Sequence, residues 1–246
     1  MSLISVIIPF YKKINYIEKT IHSILDQTYQ NFEIIIIYDD SDLNELIQLK
    51  KLIKNNNKIK LIINKKNLGA GISRNKGIKY ALGDYIAFID ADDIWKKNKL
   101  EVQIDFMKKN KFECSHTNYD IIDNNDKVIG KRQAKNFYKI DDLLKSCDIG
   151  LSTVILSKKI IKLNLQFPSL KTKEDFVLWL NILKFKIPII SLNETLTSWR
   201  KLDNSLSTSV IQKLLDAFKV YNRYMKLNII KSLYYVLCLS LNYLKK

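Results

Sequence analysis

Apolar positions along the first hundred residues alternate between two rhythms. Continuous apolar runs at residues 5–9, 33–38, 59–63 and 86–89 have the length and composition of buried strands. Between them, apolar residues recur three and four apart. Ile17, Ile21, Ile24 and Leu25 mark a helix ending near Gln27, with Asn15 and Glu18 spaced for a capping box. Residues 43–53 and about 72–82 read as two more helices, the second introduced by Gly69-Ala70-Gly71. This alternation predicts right-handed crossovers and an α/β fold on a doubly wound, mainly parallel sheet. Beyond residue 100 the rhythm loosens. A helix at 100–109, a strand at 113–120, a turn at Asn124-Asn125-Asp126, a short strand at 152–156, a helix at 172–185 capped by Thr172 and a strand at 187–192 are expected. From residue 207 the pattern is helical to the end.

In doubly wound sheets ligands sit at the carboxyl ends of the strands. Three informative clusters fall there: Pro9-Phe10-Tyr11, Asp39-Asp40 and Asp90-Ala91-Asp92-Asp93. A helix cap needs one carboxylate; three in four residues repel one another and call for a compensating cation or a structural reason. Hard oxygen ligands suit Mn²⁺ or Mg²⁺, ions that keep waters and share themselves with substrate phosphates.

Charge adds an ambiguity. Lys and Arg total 41 against 25 Asp and Glu, a net +16 that invites a nucleic-acid or membrane partner. Lys, however, is enriched together with Asn and Ile, as compositional drift would give. Arginine occurs only at Arg74, Arg132, Arg200 and Arg223. A nucleic-acid-binding module would interleave Arg with aromatics on one face, whereas this chain puts acids at its ligand edge, so no nucleic acid is expected. A nucleotidyltransferase of similar architecture would carry glycines after its first strand, where this chain has Pro9-Phe10-Tyr11-Lys12-Lys13. Cys114, Cys147 and Cys238 have no metal spacing and read as buried thiols. His22 and His116 read as structural. Met1-Ser2-Leu3 runs straight into a strand, with no signal-peptide pattern and no apolar run of membrane-spanning length, so a cytoplasmic location is expected.

Ser5-Val6-Ile7-Ile8-Pro9-Phe10-Tyr11, Gln27-Thr28-Tyr29-Gln30-Asn31-Phe32-Glu33, Asn67-Leu68-Gly69-Ala70-Gly71-Ile72-Ser73-Arg74-Asn75 and Asp90-Ala91-Asp92-Asp93, in this order, resemble the family-2 inverting glycosyltransferases of GT-A fold. Lys173-Glu174-Asp175-Phe176 resembles the family's Glu-Asp motif at a helix start. Ser198-Trp199-Arg200 with Asn204-Ser205-Leu206-Ser207 resembles a loop of members that build bacterial surface polysaccharides, teichuronic-acid-type enzymes among them. The resemblance covers roughly residues 3 to 210. It implies a GT-A domain at 1–208, with a nucleotide-sugar half at 1–120 and an acceptor half at 121–208, followed by a helical extension at 209–246.

The resemblance also implies roles. Asp92 would hold the divalent metal and Asp90 the ribose hydroxyls. Tyr11 offers an aromatic face to the base, and Asp39 can accept a ring N–H; uracil is preferred, though thymine and guanine carry comparable groups. Pro9 shapes the turn. Arg74 is expected to pair with Asp39 or approach the diphosphate. Arg200 is expected on a mobile loop that closes over the diphosphate, with Ser205 and Ser207 nearby. Asp175 is the candidate base, its pKa expected to be lowered by the helix dipole and Lys173, with Glu174 acting the other way. Two departures stand out: Asp39-Asp40-Ser41-Asp42 replaces an Asp-Asp-Gly-Ser turn, and Lys201-Leu202-Asp203 lacks a histidine common there. The implied partners are a nucleotide-sugar donor and a glycan or glycolipid acceptor.

In the last segment Leu214, Leu215, Phe218 and Tyr221 are suited to docking on the domain. Ile229, Ile230, Leu233, Tyr234, Leu237 and Leu241 form an apolar stripe flanked by Lys231, Lys245 and Lys246. Such a helix either lies on an anionic membrane, here the inner face of the cytoplasmic membrane, or packs on the body.

Overall fold

The computed structural model describes residues 1–202 and 209–244. At its centre, β1 (Ile4–Phe10) is buried along nearly its whole length. β2 (Phe32–Tyr38) and β4 (Tyr85–Phe88) flank it in parallel, and β3 (Ile59–Ile63) extends the sheet beyond β2. Helices α1 (Ile14–Leu25), α2 (Leu43–Leu52) and α3 (Ala70–Tyr80) make the crossovers. Successive β1 side chains point to opposite faces. Val6 and Ile8 join Ile17, Ile21 and Ile24 of α1 in one core; Ile7 joins Ile35, Ile37 and Phe88 in the other. Gly77 lets α3 close onto that second face: a Cβ there would sit 2.6 Å from Ile7 Cγ2.

The second half turns the sheet antiparallel. After β5 (Ile94–Trp95) and α4 (Lys99–Asn110) come β6 (Cys114–Ile122) and β7 (Val128–Arg132), a hairpin. Then follow α5 (Ile140–Leu144), β8 (Ile155–Ser157), α6 (Lys158–Ile161), α7 (Glu174–Lys184) and β9 (Ile190–Arg200). The strand order is β3-β2-β1-β4-β8-β6-β9-β5, with β7 on β6. β8 is antiparallel to β4 and β6, and β9 runs parallel to β6 but antiparallel to β5.

Local expectations fail where tertiary contacts decide. The Asn15–Glu18 capping box does not form: α1 begins at Ile14 with Lys13 as its N-cap and no side-chain cap. Thr172 does not cap α7; its hydroxyl donates to Asp216 at 3.0 Å, and Lys173 takes the cap position in the left-handed region. Residues 151–153 form a 3₁₀ turn ahead of β8 rather than a strand. The strand expected at 187–192 begins at Ile190 and continues to Arg200, because β6 supplies a partner along its length.

The terminal segment packs through α8 (Val210–Lys219), a π turn (Val220–Tyr224) and α9 (Ile229–Leu244). The docking residues are Ala217, Val220 and Tyr221, the last donating its hydroxyl to Leu144 O at 2.6 Å; Leu214 and Leu215 face outward instead. Cys114 is buried, Cys147 and Cys238 are half-buried, and none of the three is in a disulfide among the described residues.

Candidate active site

β1, β2 and β4 end side by side, so the three polar clusters converge on one edge. Phe10 pairs with Tyr38, and Asp39 N donates to Phe10 O at 2.8 Å. Tyr11 and Asp39 therefore leave adjacent strand ends. Tyr11 is exposed, as a stacking face requires. Asp39 is buried and already committed: its carboxylate accepts from Asn64 Nδ2 at 2.7 Å, Leu68 N at 2.8 Å and Gly69 N at 2.8 Å. It thereby ties the loop into α3, whose N-cap, Gly69, has φ +87°.

Arg74 does not reach Asp39. It is buried, donating Nη2 to Asp90 at 2.7 Å and Nη1 to Glu174 at 2.6 Å. Burial lowers the pKa of such a group, and the two carboxylates more than offset it. Removing one partner of so buried a pair typically costs about 3–5 kcal/mol. Arg74 thus binds the start of α7 to the end of β4. Gly71 permits the approach, since a Cβ there would lie 2.8 Å from Pro168 O.

The acid cluster divides its labour. Asp93 is fully buried, accepting from Ser152 Oγ and, at 2.8 Å, from Arg200 N. Burial, then Asp92 and Asp90, push its pKa well up. Ser152 Oγ also accepts from Asp90 N at 3.0 Å, so one buried hydroxyl pins both acids. Asp92 pairs with Lys13 Nζ at 2.7 Å. Its pKa is raised by burial against the pull of Lys13. Among the described residues no group of three or more His, Cys, Asp or Glu could hold a metal. Asp90 and Asp93 are engaged with Arg74 and Ser152, and Asp92 already has Lys13 as its cation, so a metal there would share or replace that pairing. That donor fits an ion which draws its other ligands from phosphate and water.

Arg200 overturns the mobile-loop expectation. It is the last residue of β9 and is buried. Its Nε donates to Asp92 O at 2.9 Å, Nη1 to Asp123 O at 2.7 Å and Nη2 to Asp126. Its guanidinium lies 5.1 Å from the Tyr16 ring centroid. It clamps the acid turn against the β6–β7 hairpin. Asn204, Ser205 and Ser207 lie outside the described residues. His116 is buried with its ring 2.9 Å from Lys135 O, and burial lowers its pKa to about 4, in keeping with a structural histidine.

Asp175 lies in the first turn of α7, its Oδ1 accepting from Phe176 N at 2.8 Å. The lowered pKa expected from the helix start does not hold. Burial and adjacent Glu174 outweigh Arg74 and Lys173 and raise it to about 6. Asp175 and Asp90 line one cavity of about 780 Å³, with Ser152, Tyr119, Trp199 and Thr197. Lys13, Ser152 and the Arg74 partnership of Glu174 were missed from sequence. A lysine among so many, or a serine with no motif, carries no local signal.

The family model described as Glycosyl transferase family 2 matches residues 5–162. WfgD of Escherichia coli, a UDP-Glc:alpha-D-GlcNAc-diphosphoundecaprenol beta-1,3-glucosyltransferase, is 38% identical over 96% of this chain and 91% of its own. TuaG of Bacillus subtilis (strain 168), provisionally named as a teichuronic acid biosynthesis glycosyltransferase, is 33% identical over 99% of this chain and 97% of its own. The crystal structure of S. aureus TarS 1-349 in complex with UDP-GlcNAc superposes with a TM-score of 0.72 at 21% identity, covering 94% of this chain and 69% of that one. This last likeness concerns the fold, which is GT-A-like.

Proposed function

We propose a reaction from the premise that this chain belongs to glycosyl transferase family 2: single displacement of a sugar from a nucleoside diphosphate onto a hydroxyl of a lipid-linked or growing surface glycan, with inversion. The observation that carries this reading is Asp175, fixed at a helix start in a cavity shared with Asp90. Its Oδ1 is held by the backbone, which leaves Oδ2 for the acceptor hydroxyl. A pKa near 6 keeps it ionised at neutral pH yet basic enough to take the proton as the new bond forms.

The other residues bind and orient. Tyr11 stacks on the base, Pro9 shapes the turn beneath it, and Asp39 meets a ring N–H while holding the loop into α3. Asp90, oriented by Arg74 and Ser152, takes the ribose hydroxyls with its remaining oxygen. Asp92 would hold Mn²⁺ or Mg²⁺, which when bound neutralises charge growing on the leaving diphosphate. Arg200 is retained as a positioning residue that acts through the Asp92 carbonyl. UDP is the preferred nucleotide and a glycan joined to lipid the acceptor, in line with what WfgD is named for.

The catalytic body works on the inner face of the cytoplasmic membrane. α9 exposes Ile229, Ile230, Leu233, Tyr234, Leu237 and Leu241 along one side. No helix among the described residues is long and apolar enough to cross a membrane. A screen of nucleotide-sugars with Mn²⁺, reading release of the nucleoside diphosphate, tests the reaction. Turnover of one or more UDP-sugars is expected; inertness of the folded protein toward every nucleotide-sugar would overturn it.

A further inference from the structure

The cavity that holds Asp175 has a basic wall. Lys131 and Arg132 of β7, Lys135 just beyond it and Lys201 after β9 all line it. Lys135 is paired with Asp148 at 2.7 Å. Lys131, Arg132 and Lys201 form no carboxylate pair among the described residues. Arg132 stands apart from the lysine background. Two of the other three arginines, Arg74 and Arg200, are buried and carboxylate-paired. Arg132 instead turns to the cavity, half-buried, with a hydrogen bond to Lys131 O at 3.2 Å. Asp90, Asp148 and Asp175 line the same cavity, with Asp148 paired to Lys135, so Lys131, Arg132 and Lys201 are the cations left to meet an entering anion. The planar fork of an arginine is the group best shaped to take phosphate oxygens in pairs.

On the reading above the donor's diphosphate lies with the metal at Asp92, which does not line this cavity, although Asp90, the proposed ribose ligand, does. The wall therefore answers to a second anion, on the acceptor side of Asp175. The segment carrying Cys147 and Asp148 also lines the cavity, and α9 holds that segment: Asn242 Nδ2 donates to Lys145 O at 2.8 Å. That hydrogen bond ties a segment next to the cavity lining to the helix with the exposed apolar side.

We propose that Lys131, Arg132 and Lys201 form an anion subsite for the acceptor, taking the diphosphate that joins its glycan to a polyprenyl lipid. This rests on the glycosyltransferase reading above. The probes are farnesyl diphosphate, inorganic pyrophosphate and farnesol, titrated into the full chain with the donor site filled by UDP and Mg²⁺ in excess. Wild type should bind both diphosphates, farnesyl diphosphate the more tightly, and farnesol weakly. The K131Q/R132Q/K201Q variant should lose about tenfold or more in affinity for both, while its UDP affinity stays within about twofold. Arg132→Gln alone should show a smaller loss of the same kind. Diphosphate binding unchanged in the triple variant, or UDP binding weakened in parallel, would overturn the subsite. Binding of pyrophosphate without any gain from the farnesyl chain would mark a general phosphate site and also count against it. Failure of UDP to bind at all speaks to the donor assignment, whereas loss of pyrophosphate binding in the variant reads on the subsite by itself.

Discussion

Asp175 shows why a residue's surroundings outrank its position in the chain. From sequence, a helix start and a neighbouring lysine argue for a low pKa. In the fold, burial and Glu174 raise it to about 6. A base must be ionised, so kcat/KM should fall as pH drops through about 6, and a pH–rate profile with its acid limb near 4 would remove Asp175 from that role. The same shift acts on stability. Between about pH 4 and the folded pKa the native state binds a proton the unfolded chain releases, so stability falls as pH rises through that window. Asp175→Asn should reduce this slope in urea titrations, leaving the part that Asp92 and Asp93 contribute. Asp92→Asn should weaken Mn²⁺-dependent binding of UDP at least about tenfold in calorimetry, with circular dichroism unchanged. Asp39 was legible as a candidate site acid but not as a strut, because its partners Asn64, Leu68 and Gly69 follow it by 25–30 residues. Asp39→Ala should cost about 1–3 kcal/mol in nucleotide binding, the worth of a buried polar group left unpaired. A loss confined to bases with a matching ring N–H supports base reading, and an equal loss for all bases assigns Asp39 to the scaffold alone.

At the scale of elements, the parallel half was readable because each strand is a short apolar run and each crossover keeps helical spacing. Residues 59–63 form a strand with the bounds the pattern gives. β9 was only partly readable. Asn193, Glu194 and Thr195 interrupt its apolar run, and it holds together as a strand through pairing with β6, across two register shifts. Arg200 looked like a loop residue because Ser198-Trp199-Arg200 resembles a loop of the family. The apolar stripe of α9 was readable, and the fold leaves it exposed: Ile230 is 81% accessible, while Leu239 on the opposite side is buried. Truncating α9 would therefore also strip the body of Leu239. Substituting Ile230, Leu233 and Leu237 by Ser is the cleaner test. Wild type should bind anionic phosphatidylglycerol vesicles in flotation assays at low salt and be released by high salt. The triple variant should bind several-fold more weakly and keep its UDP affinity. Indifference of wild type to those vesicles would assign the stripe another purpose.

Across the whole molecule, a parallel half supplies the strand ends that carry Tyr11, Asp39 and Asp90, and a mixed half supplies Asp175, Ser152 and the cavity wall. Arg74 and Arg200 are two of the ties between them: one joins α3 to β4 and α7, the other joins β9 to the acid turn and the hairpin. Sequence alone indicated the ingredients of both halves and the family they resemble. It could not indicate the ties, since each arginine meets carboxylates tens of residues away. The account stands on Asp175 acting as the base inside a donor site that others build. The most direct measurement is turnover of the preferred UDP-sugar by Asp175→Asn, with UDP affinity in the presence of Mn²⁺ determined on the same preparation. Turnover should fall by roughly 10²–10⁴, the usual worth of a positioned base, with UDP affinity within about threefold of wild type. Turnover near the wild-type rate would contradict the account, and so would equal losses in turnover and UDP affinity.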